Sequence, residues 1–250
     1  SVAVATGNGA PERFEVYTNL TSADTIILGF TAVNTTANWV CFDNVKLEYC
    51  GKQSNIGYFT LEKTLAEGAS DPIYAMLAAD PKLNVTLNVI TDKSETAVVD
   101  LSGYDAIVVQ ESFGSSDGIL TKGALSPSNV KIPYLINKIF GFQKNRITDG
   151  ATTETEGTLN LTVVNAESPL FKGIEGTDVK MFHAGADDSA GNTRNKTFGY
   201  STGVTLSAEG TLVAAPTGAA DVAQVAINVI PAGATVGTHT LEAQMITMNM

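Results

Sequence analysis

The chain has 250 residues, of which 44% are apolar and 16% charged, and its formal net charge is −11. This apolar content is sufficient for a packed core, so the composition excludes a disordered chain. With 26 acidic against 15 basic residues and no cluster of Lys and Arg, nucleic acid is also excluded as a partner. No apolar run reaches the roughly 20 residues of a membrane helix, and we therefore expect no transmembrane segment.

Residues 1–51 predict the C-terminal part of an antiparallel β-sandwich. Three β-prone runs, at residues 12–20, 24–33 and 38–49, are separated by polar turn residues. Three strands cannot close a sandwich, so the chain is expected to be a fragment of a longer one. Cys41 and Cys50 would be about 30 Å apart on a continuous strand, which predicts two unpaired thiols.

Residues 55–250 predict an α/β domain. Buried strands are expected at 56–60, 84–91 and 106–110, with a helix at 71–79 that has Asp71 at its cap and Pro72 in its first turn. The run 106–110 is apolar on both faces, as a central parallel strand requires. A fourth strand is expected at 129–135. Later strands are expected at 158–165, 178–183, 203–206, 211–215 and 220–230, where Pro231 ends the last one.

No covering helix follows residues 245–250, and the domain is therefore expected to be truncated at its C-terminus.

Two stretches resemble known families. Asn38-Trp-Val-Cys-Phe-Asp-Asn-Val-Lys-Leu47, with Thr25-Ile-Ile-Leu-Gly-Phe before it, resembles the last strands of galactose-binding-like jelly-roll domains. Ile56-Gly-Tyr-Phe-Thr, the run 101–109 and Glu167-Ser-Pro-Leu-Phe-Lys-Gly-Ile174 resemble the class I glutamine-amidotransferase-like superfamily, in particular its trehalose-utilisation-protein-like branch.

These resemblances imply a flavodoxin-like or amidotransferase-like fold, with a mostly parallel sheet and flanking helices, preceded by part of an antiparallel β-sandwich. Proteins that join the two modules resemble secreted, glycan-associated bacterial proteins, and this link is one of analogy.

The catalytic residues of that superfamily are not all present. Its enzymes use a cysteine on a sharp strand-to-helix turn, and residues 55–250 contain no cysteine. Ser112 is the candidate substitute, although Gln110-Glu-Ser-Phe-Gly114 lacks the first Gly of such a turn. Glu111 and His183 are the other catalytic candidates, and the alternative is a strand-end histidine among solvated acids. We expect no triad chemistry and no cofactor.

Metal ligands are similarly few. Zinc requires several Cys or His residues at short spacing, which the chain does not have. Asp187 and Asp188 are candidate calcium ligands, but residues 187–192 lack the ligand alternation and the terminal Glu of a calcium loop. The sequence therefore predicts no metal site, and these two aspartates are the candidate ligands if there is one.

The ligand site of an open α/β sheet lies at the carboxyl ends of its strands. Polar groups suited to a polyhydroxylated ligand follow the first and third predicted strands, and an aromatic ring could stack on a sugar. The predicted ligand-binding residues are Thr60, Glu62, Gln110, Glu111 and Phe113.

The functional hypothesis is a non-catalytic module of a carbohydrate-associated protein. It would be secreted, periplasmic or on the cell surface, with a carbohydrate ligand and the neighbouring domains of the same longer chain as its partners. One alternative is a carbohydrate-active enzyme of atypical mechanism that uses Glu111 and His183. The other is a structural spacer at the cell surface.

Overall fold

A computed structural model of the chain divides into two compact units, Ser1–Lys52 and Gln53–Met250. The structure describes residues 51–69, 71–138, 152–154, 160–180, 199–201, 211–216, 227–236 and 239–248. The strands predicted for the partial sandwich, and the one predicted at 203–206, lie outside these ranges. None of the helices within them has the length and apolar character needed to cross a bilayer.

The second unit begins with two parallel strands joined through two short helices. The elements are, in chain order, β1 (Ser54–Thr60), α1 (Lys63–Ala66), α2 (Pro72–Ala79) and β2 (Leu83–Val89). α2 begins where the sequence predicts it. The Asp71 side chain accepts a hydrogen bond from the Tyr74 backbone N–H, and Pro72 occupies the first turn, where its missing N–H leaves no helical bond unmade.

The next strands, β3 (Ala106–Val109) and β4 (Tyr134–Asn137), are separated by the single helical turn α3 (Gly118–Thr121). β3 pairs in parallel with β1 on one side and β4 on the other, which confirms the predicted central strand. The sequence predicts the fourth strand at residues 129–135, whereas β4 begins after Pro133. The shift has a physical reason, because proline has no N–H to donate to a strand ladder.

Strands dominate the later part of the domain. They are, in chain order, β5 (Thr152–Glu154), β6 (Asn160–Val163), β7 (Asp178–Lys180), β8 (Gly199–Ser201), β9 (Thr211–Pro216), β10 (Ile227–Ile230), β11 (Thr235–Val236), β12 (His239–Thr240) and β13 (Met245–Met248). The strands predicted near β6, β7, β9 and β10 are confirmed over the described residues. Pro231 follows β10 directly, as predicted.

Over the described residues, the main sheet has nine strands in the order β2-β1-β3-β4-β13-β10-β9-β6-β7. From β2 to β13 the neighbouring strands are parallel, and from β13 to β7 they are antiparallel. The five parallel strands follow the 2-1-3-4-5 order of flavodoxin-like sheets, with β13 in the fifth place. The predicted α/β fold with a parallel sheet is confirmed. The helices of the described ranges are few and short.

One face of the sheet, which we call the core face, carries the main hydrophobic cluster. Its buried members are Phe59, Ile107, Val109, Phe113, Ile119, Leu120, Leu125, Val130, Tyr134, Ile136, Ile230, Ala234, Val236, Leu241 and Met245. Gly57 lies on this face by strand alternation with Phe59. A Cβ at Gly57 would come within 2.7 Å of Phe59 Cε2 and 2.9 Å of Tyr104 Cδ2. Gly57 therefore leaves room for these two rings, which pack edge to face with centroids 6.0 Å apart.

Candidate functional site

The candidate site lies at the carboxyl ends of β1 and β3. The strand order reverses at β1, since β2 lies on one side of it and β3 on the other. In open α/β sheets such a reversal leaves a crevice beyond the strand ends. Thr60 ends β1 and Gln110 follows β3, and the register of the two strands places both residues at the same level on the face opposite the core face.

A buried carboxylate, Asp71, lies next to these strand ends and is 7% exposed. Its Oδ2 accepts hydrogen bonds from the Tyr58 hydroxyl (3.0 Å) and Gln110 Nε2 (2.8 Å). Its Oδ1 accepts the Tyr74 backbone N–H (2.8 Å). These donors compensate for the removal of the carboxylate from water. Burial raises the pKa of Tyr58 above its ordinary value of 10.0, and the nearby Asp71 raises it further, so Tyr58 stays a neutral donor.

The carboxylate determines how the Gln110 amide is oriented. An ionised carboxylate can only accept hydrogen bonds, so the NH₂ group of Gln110 must face Asp71 and its carbonyl oxygen must face away. That oxygen, Oε1, accepts the Thr60 hydroxyl proton at 2.6 Å. The Thr60 oxygen in turn accepts the Glu62 backbone N–H at 3.0 Å. The Thr60 side chain is fully buried and acts as the link between the two strand ends.

The same reasoning places the proton of Ser112. Thr60 has one hydroxyl proton and gives it to Gln110, so in the 3.2 Å contact between Thr60 Oγ1 and Ser112 Oγ the donor is Ser112. Ser112 Oγ also accepts the Leu61 backbone N–H at 2.9 Å. The hydrogen-bond chain thus runs in one direction, from Ser112 through Thr60 and Gln110 to Asp71, and it leaves an acceptor lone pair on the Ser112 oxygen.

A charged pair joins the end of β3 to the end of β4. Lys138 Nζ donates to the Glu111 backbone carbonyl oxygen (2.9 Å) and to Glu111 Oε1 (2.5 Å). The Lys138 side chain is 11% exposed and the Glu111 side chain 50%. The ammonium group is therefore largely buried at the strand ends, whereas the carboxylate is half exposed to solvent. The pair fixes Glu111, the residue before Ser112 in the loop that follows β3.

The predicted site residues fall into three groups. Thr60, Gln110 and Ser112 meet through hydrogen bonds, and Glu62 and Glu111 are exposed beside them. Phe113 is different, because its side chain is fully buried in the core cluster and presents no surface for stacking on a ligand. The third group consists of residues outside the described ranges: His183, Asp187 and Asp188.

Metal-ligating side chains do not gather in the described ranges, where no three of His, Cys, Asp and Glu are close enough to hold an ion. The role of Asp187 and Asp188 as calcium ligands stays a prediction. So does the pairing of His183 with Glu111 or Ser112.

Two functional groups of the site, Asp71 and Lys138, were not expected from the sequence. The sequence predicts Asp71 only as a helix cap, but its carboxylate also ends the hydrogen-bond chain and accepts the Tyr58 hydroxyl. Lys138 follows β4 directly, just as Gln110 follows β3. That position is a usable signal once the strand is placed correctly, and the predicted strand at 129–135 ended too early to show it.

Fold and site together define an open α/β domain whose candidate ligand crevice lies where the strand order reverses. No protein-family model matches the sequence, and no curated protein matches it significantly. Among solved structures, the chain is similar to the crystal structure of Agd3, described as a novel carbohydrate deacetylase, with a TM-score of 0.39 and 12% sequence identity. The match covers 78% of this chain and 29% of that protein, so this chain spans less than a third of its length. Similarity at this level carries no argument about function.

Proposed function

We propose that the domain binds a neutral polyhydroxylated ligand, such as a glycan, at the carboxyl ends of β1 and β3. The observation that carries the proposal is the directed hydrogen-bond chain from Ser112 to Asp71. A chain anchored on a buried carboxylate is polarised and holds its members in fixed orientations. Fixed acceptors at a crevice suit sugar hydroxyls, which bind through several directional hydrogen bonds.

The charged side chains around these strand ends favour an uncharged ligand. Glu62 and Glu111 are exposed there, whereas the ammonium of Lys138 is largely buried and already bonded to Glu111. The formal net charge of −11 adds to this negative field. An acidic polysaccharide would therefore be repelled, and a neutral one would not.

The proposed binding is non-catalytic with respect to triad chemistry. A nucleophilic serine needs a base that takes its proton, but the Ser112 proton points to the Thr60 hydroxyl, which is not a base at neutral pH. This orientation supports a binding role for Ser112.

We further propose that the protein acts outside the cytoplasm, as a secreted, periplasmic or surface module. Its low charged fraction of 16% supports that location, and fractionation of the producing cells would test it.

The test is a glycan array followed by affinity electrophoresis of the full chain on neutral and acidic polysaccharides. We expect retention on a neutral polysaccharide. Ser112→Ala should weaken it about fivefold, since one hydrogen bond contributes on the order of 1 kcal/mol. Asn84→Ala is the matched control, because Asn84 is an exposed polar residue near the amino end of β2, at the end of the strands opposite to the site.

Lack of retention on every polysaccharide would contradict the proposal, and so would an equal loss in the Asn84→Ala control. Release of shortened or modified sugar during the assay would favour the enzyme alternative.

A further inference from the structure

Two residues on the core face lie outside the proposed site, and their polar side chains have no hydrogen-bond partner in the part of the chain that the structure describes. Asn228 of β10 and Thr247 of β13 are register partners on adjacent antiparallel strands, and both are fully buried. Among the described residues, Asn228 Nδ2, Asn228 Oδ1 and Thr247 Oγ1 have no hydrogen-bond partner. Buried polar groups in native proteins are nearly always hydrogen-bonded, so these three atoms need an explanation.

The two residues lie at a junction in the sheet. β13 pairs in parallel with β4 and antiparallel with β10, so Asn228 and Thr247 lie where the parallel half of the sheet meets the antiparallel half. The register of β10 against β9 shifts between Ile227 and Asn228. A shift of this kind bends the strand and changes the direction of the side chain next to it.

The chemistry of the three atoms specifies what would satisfy them. They comprise an amide donor, an amide acceptor and a hydroxyl that can do both. Directly opposite residues of an antiparallel pair have Cβ atoms about 5 Å apart, which brings their polar atoms within reach of one small molecule. A larger ligand is excluded because neither side chain has exposed surface. Water, which commonly makes about three hydrogen bonds when buried, matches this set.

We propose that a single buried water molecule bridges Asn228 and Thr247 and joins the two halves of the sheet through side chains as well as through the backbone ladder. It accepts from Asn228 Nδ2 and donates its two protons to Asn228 Oδ1 and Thr247 Oγ1. This site is independent of the ligand crevice.

Thermal unfolding of the full chain with Thr247→Val, Asn228→Leu and the double variant tests the proposal. If water bridges the residues, each single substitution removes one of its partners and lowers the unfolding midpoint by about 2–6 °C. The double variant removes all three polar atoms and should recover most of that loss. If the atoms are dry and unpaired, each single substitution removes an unsatisfied group and should raise the midpoint instead, which would overturn the proposal.

Met245→Leu is the matched control, because it conserves volume on the same strand and face and should change the midpoint little. A high-resolution crystal structure provides the direct readout. Density for one water within hydrogen-bonding distance of both side chains supports the proposal. A direct hydrogen bond between Asn228 and Thr247, with no water beside it, overturns it.

Discussion

Among single residues, Asp71 determines which way the protons of the candidate site point. Its carboxylate accepts from Tyr58 and Gln110, and this fixes the Gln110 amide and then, in sequence, the hydroxyls of Thr60 and Ser112. The acidic group is therefore more than the cap of α2, and the two roles can be separated by substitution.

Asp71→Asn should destabilise the protein by about 1–3 kcal/mol, because the new NH₂ group faces the two donors Tyr58 and Gln110. The helix cap itself should survive, since Asn and Asp cap helices about equally well. Asp80→Asn is the control: its carboxylate accepts the exposed Lys82 N–H, and the expected change is within about 0.5 kcal/mol. Urea unfolding gives the free energy of unfolding of each variant. Equal effects at the two positions would show that the buried network adds nothing beyond capping.

Among the elements, β1 carries both the core and the site on alternate residues. Gly57 and Phe59 face the core, whereas Tyr58 and Thr60 face the hydrogen-bond chain. Tight packing on one face of the strand therefore helps to hold the polar groups of the other. At Gly57 this packing leaves no room for a Cβ atom.

Gly57→Ala should cost about 1–3 kcal/mol, because its Cβ would clash with the rings of Phe59 and Tyr104. Gly103→Ala is the matched control. A Cβ there meets no atom within 4 Å, so the substitution should be neutral or stabilise by up to about 1 kcal/mol through the unfolded chain. Chemical denaturation gives both values. Opposite signs are expected, and a neutral Gly57→Ala would contradict the packing argument.

At the scale of the whole molecule, stability should decline in alkali. Burial raises the pKa of both Tyr58 and Tyr134 above the ordinary value of 10.0, with the nearby Asp71 carboxylate adding to the shift at Tyr58. The folded state therefore holds the phenol protons more tightly than the unfolded state. Their contribution is fully present below about pH 10 and is lost as the pH rises above that value.

The measurement is the urea midpoint between about pH 8 and 11. Tyr58→Phe removes one of the two groups and should reduce the alkaline loss. A midpoint that stays constant over this range, in the wild-type chain, would show that neither buried phenol is linked to folding.

How much of this could be predicted from the sequence depends on whether the signal is local. The Asp71-Pro72 cap, the apolar run of β3 and the break at Pro231 each act within a few residues, and all were predicted. The place of β13 depends instead on which strand edges are free after the rest of the sheet has formed. The site followed the same rule: Thr60 and Gln110 were found from strand ends, whereas Asp71 and Lys138 join it through tertiary contacts.

The central place of β13 has a consequence for synthesis. β1 to β4 leave the ribosome early, and β6 to β10 follow, but the strand between these two groups is the last of the described strands to emerge. Until then β4 and β10 each present an unpaired edge, a template for mispairing with another nascent chain. Emergence of β13, rather than any early collapse, is therefore the step that closes this sheet.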